Sequence, residues 1–351
     1  MRIQHIFLSI LCLSSLTAQA EDLAAPRTNP NGDIFEKIPI PGAACGDGTQ
    51  YNVYIRRGSA SKVLMHFEGG GACWNKGTCF GKVRFTALED SPGINGTTYL
   101  GNHIGENPFQ EYTYVYMPYC TGDMHGGKHI ATYGKNKQVH HVGRHNVTRA
   151  LAYIEENDKQ LISRADNLVI YGESAGALGV MFNLDQVAAI SKPNANKTAL
   201  IDSPGLHFND NIWGRFSPEY LQDIDDGLAA NGMARNGQSG VLAPELKNLC
   251  AMNPDWKIGV AQSSMDFVMS AVFGKISPMR HYLRVMSKRG LHRTLKDPTD
   301  NCSSWIPDTS KHMFSVSKGG WTKKTWNGTR NSKYTEDLIA GRLLDTHQSH
   351  H

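Results

Sequence analysis

Residues 167–187 read "NLVIYGESAGALGVMFNLDQV", and this segment limits the choice of folds more than any other. The apolar run from Asn167 to Tyr171 predicts a buried strand, and the residues after Gly176 predict a helix. Gly172 and Gly176 leave room for a sharp turn between the two elements. Since a strand that turns directly into a helix is the building unit of parallel sheets, the segment favours an α/β fold.

The rest of the chain repeats this alternation. Strands that run into a turn or loop are predicted at 51–58, 62–71, 112–120, 198–205 and 256–266, and helices at 139–157, 276–290 and 332–345. The pattern predicts a single α/β domain over residues 21–351, with a mostly parallel central sheet and helices on both faces. Residues 207–250 are irregular and rich in aromatic side chains, which predicts a cap-like excursion from that domain.

The first twenty residues indicate export. Arg2 precedes an apolar stretch from Ile6 to Leu16, and Ala18-Gln19-Ala20 has the small-residue pattern of a signal-peptide cleavage site. This stretch is shorter than the about 20 apolar residues that a transmembrane helix needs, and no later segment qualifies. We therefore expect a signal peptide at 1–20 and a soluble mature protein in the periplasm or outside the cell.

Charge and cysteine content narrow the function. Removing Arg2 with the signal leaves 35 Lys and Arg against 32 Asp and Glu, a charge of +3 that gives no basis for a nucleic-acid or anionic-membrane partner. Removing Cys12 leaves six cysteines. An even number in an exported protein favours three disulfides, and no ligand spacing supports the alternative of a metal site. Sequence spacing leaves the pairing of these cysteines open.

The "GESAG" at 172–176 has the G-x-S-x-G form of a nucleophile elbow. In an elbow, Ser174 lies on a strained turn with its hydroxyl exposed at the edge of the sheet, and the helix N-terminus behind it favours developing negative charge. The alternative is an ordinary strand–turn–helix in which the serine caps the helix. The motif alone does not decide between them, because glycine and serine are common.

Residues 66–79, "HFEGGGACWNKGTC", place three glycines directly after an apolar strand. Glycine is costly to order, so the run indicates backbone that approaches another group closely. An acyl-transfer serine needs backbone N–H donors for the oxyanion, one from the residue after the serine and one from an earlier Gly-rich loop. We predict Gly71, Ala72 and Ala175 as these donors; the alternative is a plain Gly-rich turn.

An acid and a base should follow the serine in the order Ser, Asp, His. Asp266 comes directly after a predicted strand and His312 lies in a late loop, so the two are predicted to complete a triad with Ser174. Asp202 also follows a strand and is the rival acid. His281 falls inside a helical pattern and is predicted to lie on the surface. Five histidines precede the serine and are poor candidates by chain order: His125, His129, His140, His141 and His145.

Four segments in this order resemble the pectin acetylesterase/Notum family of serine esterases: "FEGGGACW…C", "YMPYCTGDMHGG", "HHVGRHNV" and "YGESAGALG". The resemblance covers residues 45–315, and the combined segments are far more specific than G-x-S-x-G. It implies an α/β-hydrolase fold. It also implies an enzyme that removes acyl groups, either acetyl from plant polysaccharide or palmitoleoyl from a signalling protein.

The resemblance also assigns residues. It places the triad on Ser174, Asp266 and His312 and the oxyanion donors on Gly71, Ala72 and Ala175. It implies the disulfides Cys45–Cys120 and Cys73–Cys79, which leave Cys250–Cys302 by subtraction. Plant and animal members usually carry Trp where this chain has Ala72 and Gly where it has Ala177, and both departures bear on the substrate more than on the mechanism. The few cysteines and the simple signal suit a bacterial-type member.

The sequence therefore predicts an exported carboxylic ester hydrolase that works through an acyl-enzyme and needs no cofactor. Its expected substrate is an acetylated ester, such as an acetylated polysaccharide. Trp74 is a candidate for stacking on a sugar, or else a core aromatic packed beside a disulfide. The alternatives are a lipid- or polyester-cleaving esterase with 207–250 as a lid, and a non-catalytic binding protein on the same fold. The sequence makes no prediction of the oligomeric state.

Overall fold

The structure is a computed structural model that describes residues 27–28, 34–82, 85–91, 93, 107–296 and 301–342. The predicted signal peptide at 1–20 and the His-rich tail at 343–351 lie outside the described residues. The strands are β1 (Arg27–Thr28), β2 (Ile34–Ala44), β3 (Gln50–Arg56), β4 (Ser59–Phe67), β5 (Tyr112–Met117), β6 (His129–Tyr133), β7 (Lys137–His141), β8 (Asn167–Glu173), β9 (Asn196–Asp202), β10 (Trp256–Ala261) and β11 (Cys302–Trp305).

The helices alternate with the strands along the central part of the chain. The α-helices are α1 (Lys76–Phe80), α2 (Gly143–Asn157), α3 (Ala175–Ile190), α4 (Pro218–Ala229), α5 (Leu246–Met252), α6 (Pro278–Met286), α7 (Leu291–Thr294), α8 (Lys318–Trp321) and α9 (Asn331–Ile339). Two short 3₁₀ helices span Ile212–Arg215 and Ala243–Glu245, and a π-helix spans Val268–Gly274.

Nine strands form one sheet in the order β1-β2-β3-β5-β4-β8-β9-β10-β11. From β5 to β11 every neighbouring pair is parallel. The strands β1, β2 and β3 add an antiparallel edge. The predicted mostly parallel central sheet is therefore confirmed.

Both faces of this sheet are buried. On β4, Met65 belongs to a core that includes Val147 of α2, whereas Leu64 belongs to a second core that includes Leu338 of α9. Successive residues of a strand point to opposite faces, so α2 and α9 cover different sides. Burial on both sides explains why the central strands are continuous apolar runs, and the prediction of helices on both faces is confirmed.

Two helix boundaries and one exposure predicted from the sequence were wrong. The helix predicted from residue 139 begins only at Gly143, because Lys137–His141 pairs with β6 as a two-stranded hairpin. The helix predicted at 276–290 ends at Met286, and Gly290 begins the next helix as its N-cap. His281 is 1% exposed and not a surface residue, because its Nδ1 lies 3.0 Å from the Ser264 carbonyl oxygen behind α6.

Three disulfides connect the described residues: Cys45–Cys120, Cys73–Cys79 and Cys250–Cys302. These are the pairings that the family resemblance implies. Within the same ranges, no helix has both the length and the apolar character needed to cross a membrane.

Candidate active site

The carboxyl ends of β4, β8, β9 and β10 meet at one edge of the sheet, because these strands are parallel neighbours. Ligand sites of parallel sheets lie at this edge. The glycine run follows β4, Ser174 follows β8, and Asp266 lies in the segment after β10. The topology therefore gathers residues that are far apart in the sequence.

Ser174 occupies a strained turn. Its φ and ψ are 55° and −117°, a conformation that a residue with a side chain rarely adopts. Its N–H donates to the Asp202 carbonyl oxygen at 2.9 Å. A Cβ at Gly176 would lie 1.9 Å from the Phe67 carbonyl oxygen, so only glycine lets α3 approach β4 this closely. The serine side chain makes no capping hydrogen bond to α3, in contrast to an ordinary N-cap.

The glycine loop at 69–72 is held at three points. The Gly69 N–H donates to Glu173 Oε1 at 2.8 Å, and the Gly71 carbonyl oxygen accepts the Tyr119 hydroxyl at 2.9 Å. The Cys73 N–H donates to the Gly122 carbonyl oxygen at 2.9 Å. These contacts attach the loop to β8 on one side and to the segment after β5 on the other.

Between those points lie the predicted oxyanion donors. Gly71 has φ of 80°, and a Cβ there would lie 2.0 Å from the Phe85 carbonyl oxygen, so this position requires glycine. Within the described ranges, the N–H groups of Gly71, Ala72 and Ala175 donate to no protein acceptor. Unpaired backbone donors are rare in protein interiors and are available to a ligand here.

Asp266 and His312 form a close pair. His312 Nδ1 lies 2.8 Å from Asp266 Oδ2, and the aspartate is fully buried. Asp266 Oδ1 accepts the Met269 N–H at 2.9 Å, and Gln262 Nε2 lies 3.2 Å from Oδ2. His312 Nε2 is buried and has no hydrogen-bond partner among the residues that the structure describes. The imidazole is therefore oriented by Asp266 at Nδ1, and its Nε2 is left without a partner in the described part of the chain.

Asp202, the alternative candidate for the triad acid, has different hydrogen-bond partners from Asp266. Its Oδ2 accepts the N–H groups of Phe314 and Ser315, each at 2.8 Å. Burial raises the pKa of this carboxyl, although the backbone donors oppose that rise. Since its own carbonyl oxygen holds Ser174 N–H, Asp202 connects the His312 loop to the elbow. It contacts the loop backbone and not the imidazole.

The earlier histidines have structural partners. His125 Nε2 lies 2.9 Å from the Glu68 carbonyl oxygen, and His141 Nδ1 lies 2.8 Å from that of Thr121. Burial lowers the pKa of each to about 4, so both are neutral at neutral pH. His129 pairs with Asp223, and His145 approaches the Gly42 carbonyl oxygen. His140 is partly exposed on β7.

In the described part of the chain, one group of side chains lies close enough together to hold a metal ion. The ligand atoms of Cys73, Cys79 and His141 all lie within 4.8 Å of one another. The two sulfurs are joined in a disulfide, which removes them as thiolate ligands. His141 Nε2 also lies 2.9 Å from the Tyr133 hydroxyl. The cluster is therefore explained by the disulfide and by hydrogen bonding.

A small apolar cavity begins at the predicted oxyanion loop. Its volume is about 50 Å³, and its wall includes Ala72 and Leu178, the latter in the first turn of α3. Half of its fourteen lining residues come from 207–250, and Arg215 is the charged one among them. The segment 207–250 thus contributes half of the wall of a pocket that also includes Ala72 of the glycine loop.

Trp74 lies in the wall of that cavity. Its ring stacks on Phe85 with centroids 6.1 Å apart and meets Phe216 edge-on at 5.5 Å. The Arg215 guanidinium lies 5.2 Å from the ring centroid. The half-buried indole is therefore packed among aromatic and cationic neighbours.

Sequence reasoning missed two carboxylates beside the site, the half-buried Glu68 and the buried Glu173. Glu68 Oε2 accepts the Tyr119 N–H at 2.8 Å, and burial raises the pKa of Glu68 to about 7. Glu173, next to Ser174, contacts the glycine loop and a buried histidine. Both lie inside quoted motifs, as the residue before the glycine run and the variable residue of G-x-S-x-G. Their motif positions were a signal, but their partners depend on which strands are neighbours.

A parallel sheet, a strained serine between strand and helix, and a Gly-rich loop after an earlier strand together define the α/β-hydrolase architecture. The family model for pectinacetylesterase matches residues 27–232 of the 351 residues. The chain belongs to the pectinacetylesterase family, a class of carboxylic ester hydrolases. The resemblance found in the sequence motifs is confirmed.

The sequence identity to individual relatives is low. Pectin acetylesterase 11 of Arabidopsis thaliana is 26% identical over 282 residues, which are 77% of this chain and 67% of that protein. Palmitoleoyl-protein carboxylesterase notum2 of Xenopus laevis is 31% identical over 170 residues, 45% of this chain and 34% of that protein. Palmitoleoyl-protein carboxylesterase NOTUM of Homo sapiens is 28% identical over 155 residues, 41% of this chain and 29% of that protein. The chain thus spans two thirds of the plant relative and about a third of the Notum proteins.

Proposed function

We propose that the protein is an acetyl esterase in which Ser174, His312 and Asp266 form the catalytic triad. The observation that carries the proposal is the Asp266–His312 pair, with its outer imidazole nitrogen unpartnered, at the sheet edge that also carries the strained serine. Family membership supports the ester chemistry. A binding protein on this fold would have no need for an oriented imidazole with an open nitrogen.

The proposed mechanism follows from these positions. His312 Nε2 takes the proton of the Ser174 hydroxyl as the oxygen attacks the ester carbonyl. Asp266 holds the imidazole tautomer and stabilises the imidazolium. The N–H groups of Gly71, Ala72 and Ala175 stabilise the tetrahedral oxyanion. The alcohol leaves with the proton from His312, and water then cleaves the acyl-enzyme by the same route.

The size and polarity of the cavity favour a short acyl group. Its wall is apolar beside Ala72 and Leu178, which suits an alkyl group. Its volume of about 50 Å³ is far below the roughly 150 Å³ of a cavity that admits benzene. Acetyl fits such a pocket. In this proposal Trp74 contributes to substrate binding as a wall of the acyl pocket.

A second candidate is an esterase for longer acyl chains, such as those of lipids or polyesters. Half of the cavity wall belongs to 207–250, so movement of that segment would lengthen the pocket. Two relatives are named palmitoleoyl-protein carboxylesterases, which is consistent with such a pocket in the family. The small volume of the cavity favours acetyl.

Hydrolysis of p-nitrophenyl esters from C2 to C16 tests both candidates, with Ser174→Ala as the inactive control. We expect the highest kcat/KM at C2 and loss of turnover in the variant. A maximum at longer chains would keep the serine mechanism and transfer the proposal to the second candidate. Turnover by Ser174→Ala equal to that of the wild type would overturn the triad.

We further propose that the protein acts outside the reducing cytoplasm, on an acetylated polysaccharide. The three disulfides support an oxidising compartment. The printed name of the plant relative, pectin acetylesterase, supports a polysaccharide. Acetate release from acetylated pectin, compared with acetylated xylan, would test the substrate class.

A further inference from the structure

Glu173 makes contacts that the proposed mechanism does not use. The residue directly precedes Ser174 and is 5% exposed. Its Oε1 accepts the Gly69 N–H at 2.8 Å, and its Oε2 lies 2.6 Å from His66 Nε2. A single carboxylate thus joins the end of β8 to the loop that follows β4.

The other end of this connection is anchored in the sheet. His66 is fully buried on β4, and its Nδ1 lies 2.5 Å from the Tyr114 hydroxyl on β5. Its ring packs against those of Tyr116 and Tyr171 at centroid distances of 4.9 and 4.8 Å. The packing and the hydrogen bond fix the position of the His66 ring, so its Nε2 orients the Glu173 carboxylate toward Gly69.

The geometry of the oxyanion donors depends on that orientation. The donors at 71 and 72 come two and three residues after Gly69, whereas the nucleophile is the residue after Glu173. A hydrogen bond between Glu173 and Gly69 therefore sets the spacing between the serine oxygen and the loop amides. Donors for an oxyanion act through preorganisation, so a shift of the loop weakens the transition state more than the ground state.

We propose that Glu173 is a positioning residue that holds the oxyanion loop against the nucleophile, with His66 as its support. The proposal rests on the proposed function of Ser174 and goes beyond it by assigning a role to the variable residue of G-x-S-x-G. Glu173 does not touch the reacting atoms in this role. Its effect is expected on kcat and not on substrate binding.

Two substitutions of Glu173 separate the effect of side-chain length from the effect of its charge. Glu173→Gln keeps the length of the side chain: its amide oxygen accepts the Gly69 N–H, and its amide N–H₂ donates to His66 once the imidazole takes the other tautomer. Glu173→Asp keeps the charge but withdraws the carboxylate by one methylene. The proposal predicts a kcat for p-nitrophenyl acetate within about tenfold of wild type for Gln and roughly 10²-fold lower for Asp, with KM changed less than about threefold in both.

Glu155 provides a matched control at the opposite end of the sheet. Its Oε1 accepts the N–H groups of Ile162 and Ser163 at 2.7 and 3.2 Å, before β8 begins. Glu155→Asp shortens a carboxylate that also holds backbone N–H groups, so it should lower the melting temperature while leaving kcat unchanged. Melting temperatures of all variants distinguish misfolding from a change in rate.

The outcomes are distinct. A wild-type kcat for Glu173→Asp, or a lower kcat for Gln than for Asp, overturns the positioning role while Ser174→Ala remains inactive. An equal loss of kcat for Glu155→Asp also overturns it, because the effect would then be general destabilisation. If Ser174→Ala keeps wild-type turnover, the proposed function fails and the positioning role fails with it.

Discussion

Contacts outside the candidate triad hold its acid in place. Asp266 is fully buried and accepts hydrogen bonds from the Met269 N–H and from Gln262, so its second oxygen has one free direction, toward His312. The carboxylate therefore selects the imidazole tautomer with the proton on Nδ1 and leaves Nε2 unprotonated. A substitution that keeps the shape of the Asp266 side chain but replaces an oxygen with an amide N–H₂ should therefore change the tautomer of His312.

Asp266→Asn should abolish most activity without unfolding the protein. An amide N–H₂ facing His312 favours the tautomer with Nδ1 unprotonated, which places a proton on the nitrogen that must act as base. We expect kcat to fall by about 10⁴-fold, the loss known for this change in a serine protease triad. Steady-state kinetics with p-nitrophenyl acetate measure the loss.

The rival acid is the control for that experiment. Asp202 holds the backbone of Phe314 and Ser315, and an Asn there keeps an oxygen for both N–H groups. Asp202→Asn should therefore reduce kcat far less than Asp266→Asn. The opposite ranking would assign the acid to Asp202 and contradict the proposed triad.

Glu68 predicts a pH dependence of stability. Burial raises its pKa from 4.5 to about 7, so the folded protein binds this proton more tightly than the unfolded chain does. The stabilisation is complete below pH 4.5 and is lost as the pH rises to 7, by up to about 3 kcal/mol at about 1.4 kcal/mol per pH unit.

The variant Glu68→Gln isolates this contribution. Its amide does not titrate, so the decrease in unfolding free energy between pH 4.5 and 7 should be smaller than in the wild type. Urea unfolding at both pH values measures the difference. Equal decreases in the two proteins would show that Glu68 has an ordinary pKa in the folded state.

At the scale of elements, the strands that can be predicted from the sequence are those that the fold buries on both faces. Strands β4, β5 and β8 are covered on both faces, and their continuous apolar runs were recognised. Strand β2 contains Pro39 and Gly42 and has no regular alternation of exposed and buried residues, so the sequence predicts no strand there. Only two of the ten residues in the hairpin of β6 and β7 are buried, and the sequence predicts its second strand as the start of a helix.

The residues of the candidate site also fall into two groups, those that the sequence predicts and those whose contacts depend on tertiary structure. Chain order and local context lead to the prediction of Ser174, Asp266 and His312, because the carboxyl ends of parallel strands meet at one edge. The partners of Glu173 and Asp202 depend on which strands are adjacent and in what register. That information is tertiary, so no local pattern in one sequence contains it.

The segment 207–250 should control acyl length. Phe216 follows the 3₁₀ helix in this segment and lines the cavity, where it meets Trp74. Phe216→Ala should enlarge the pocket and shift the preference from C2 toward C4 and C6 esters. Each methylene buried in the new space contributes about 0.8 kcal/mol, or roughly fourfold in kcat/KM.

An aromatic residue elsewhere gives the control for that change. Trp326 is 75% exposed and does not line the cavity, so Trp326→Ala should leave the C2 to C6 profile unchanged. A chain-length profile of Phe216→Ala that matches the wild type, at an unchanged melting temperature, would show that the acyl group binds elsewhere.

At the scale of the whole molecule, each disulfide closes a segment of different length. Cys73–Cys79 spans 6 residues beside the glycine loop, and Cys45–Cys120 spans 75. Cys250–Cys302 spans 52 residues and joins α5 to the edge strand β11, enclosing Asp266. The chain that continues from β11 carries His312, so this last disulfide borders both members of the Asp–His pair.

Loop length predicts how much each disulfide stabilises the fold. In the chain-entropy model, closing 52 residues contributes about 4 kcal/mol and closing 6 residues about 2 kcal/mol. The double variant Cys250→Ala/Cys302→Ala should therefore lose about 2 kcal/mol more unfolding free energy than Cys73→Ala/Cys79→Ala. Activity should rank the other way, because Cys73 directly follows Ala72 of the oxyanion loop, whereas neither Cys250 nor Cys302 is adjacent in the sequence to a proposed catalytic residue. Urea unfolding and kcat measured on both double variants test the two rankings together, and a larger loss of stability in the 6-residue variant would mean that local packing, not chain entropy, dominates.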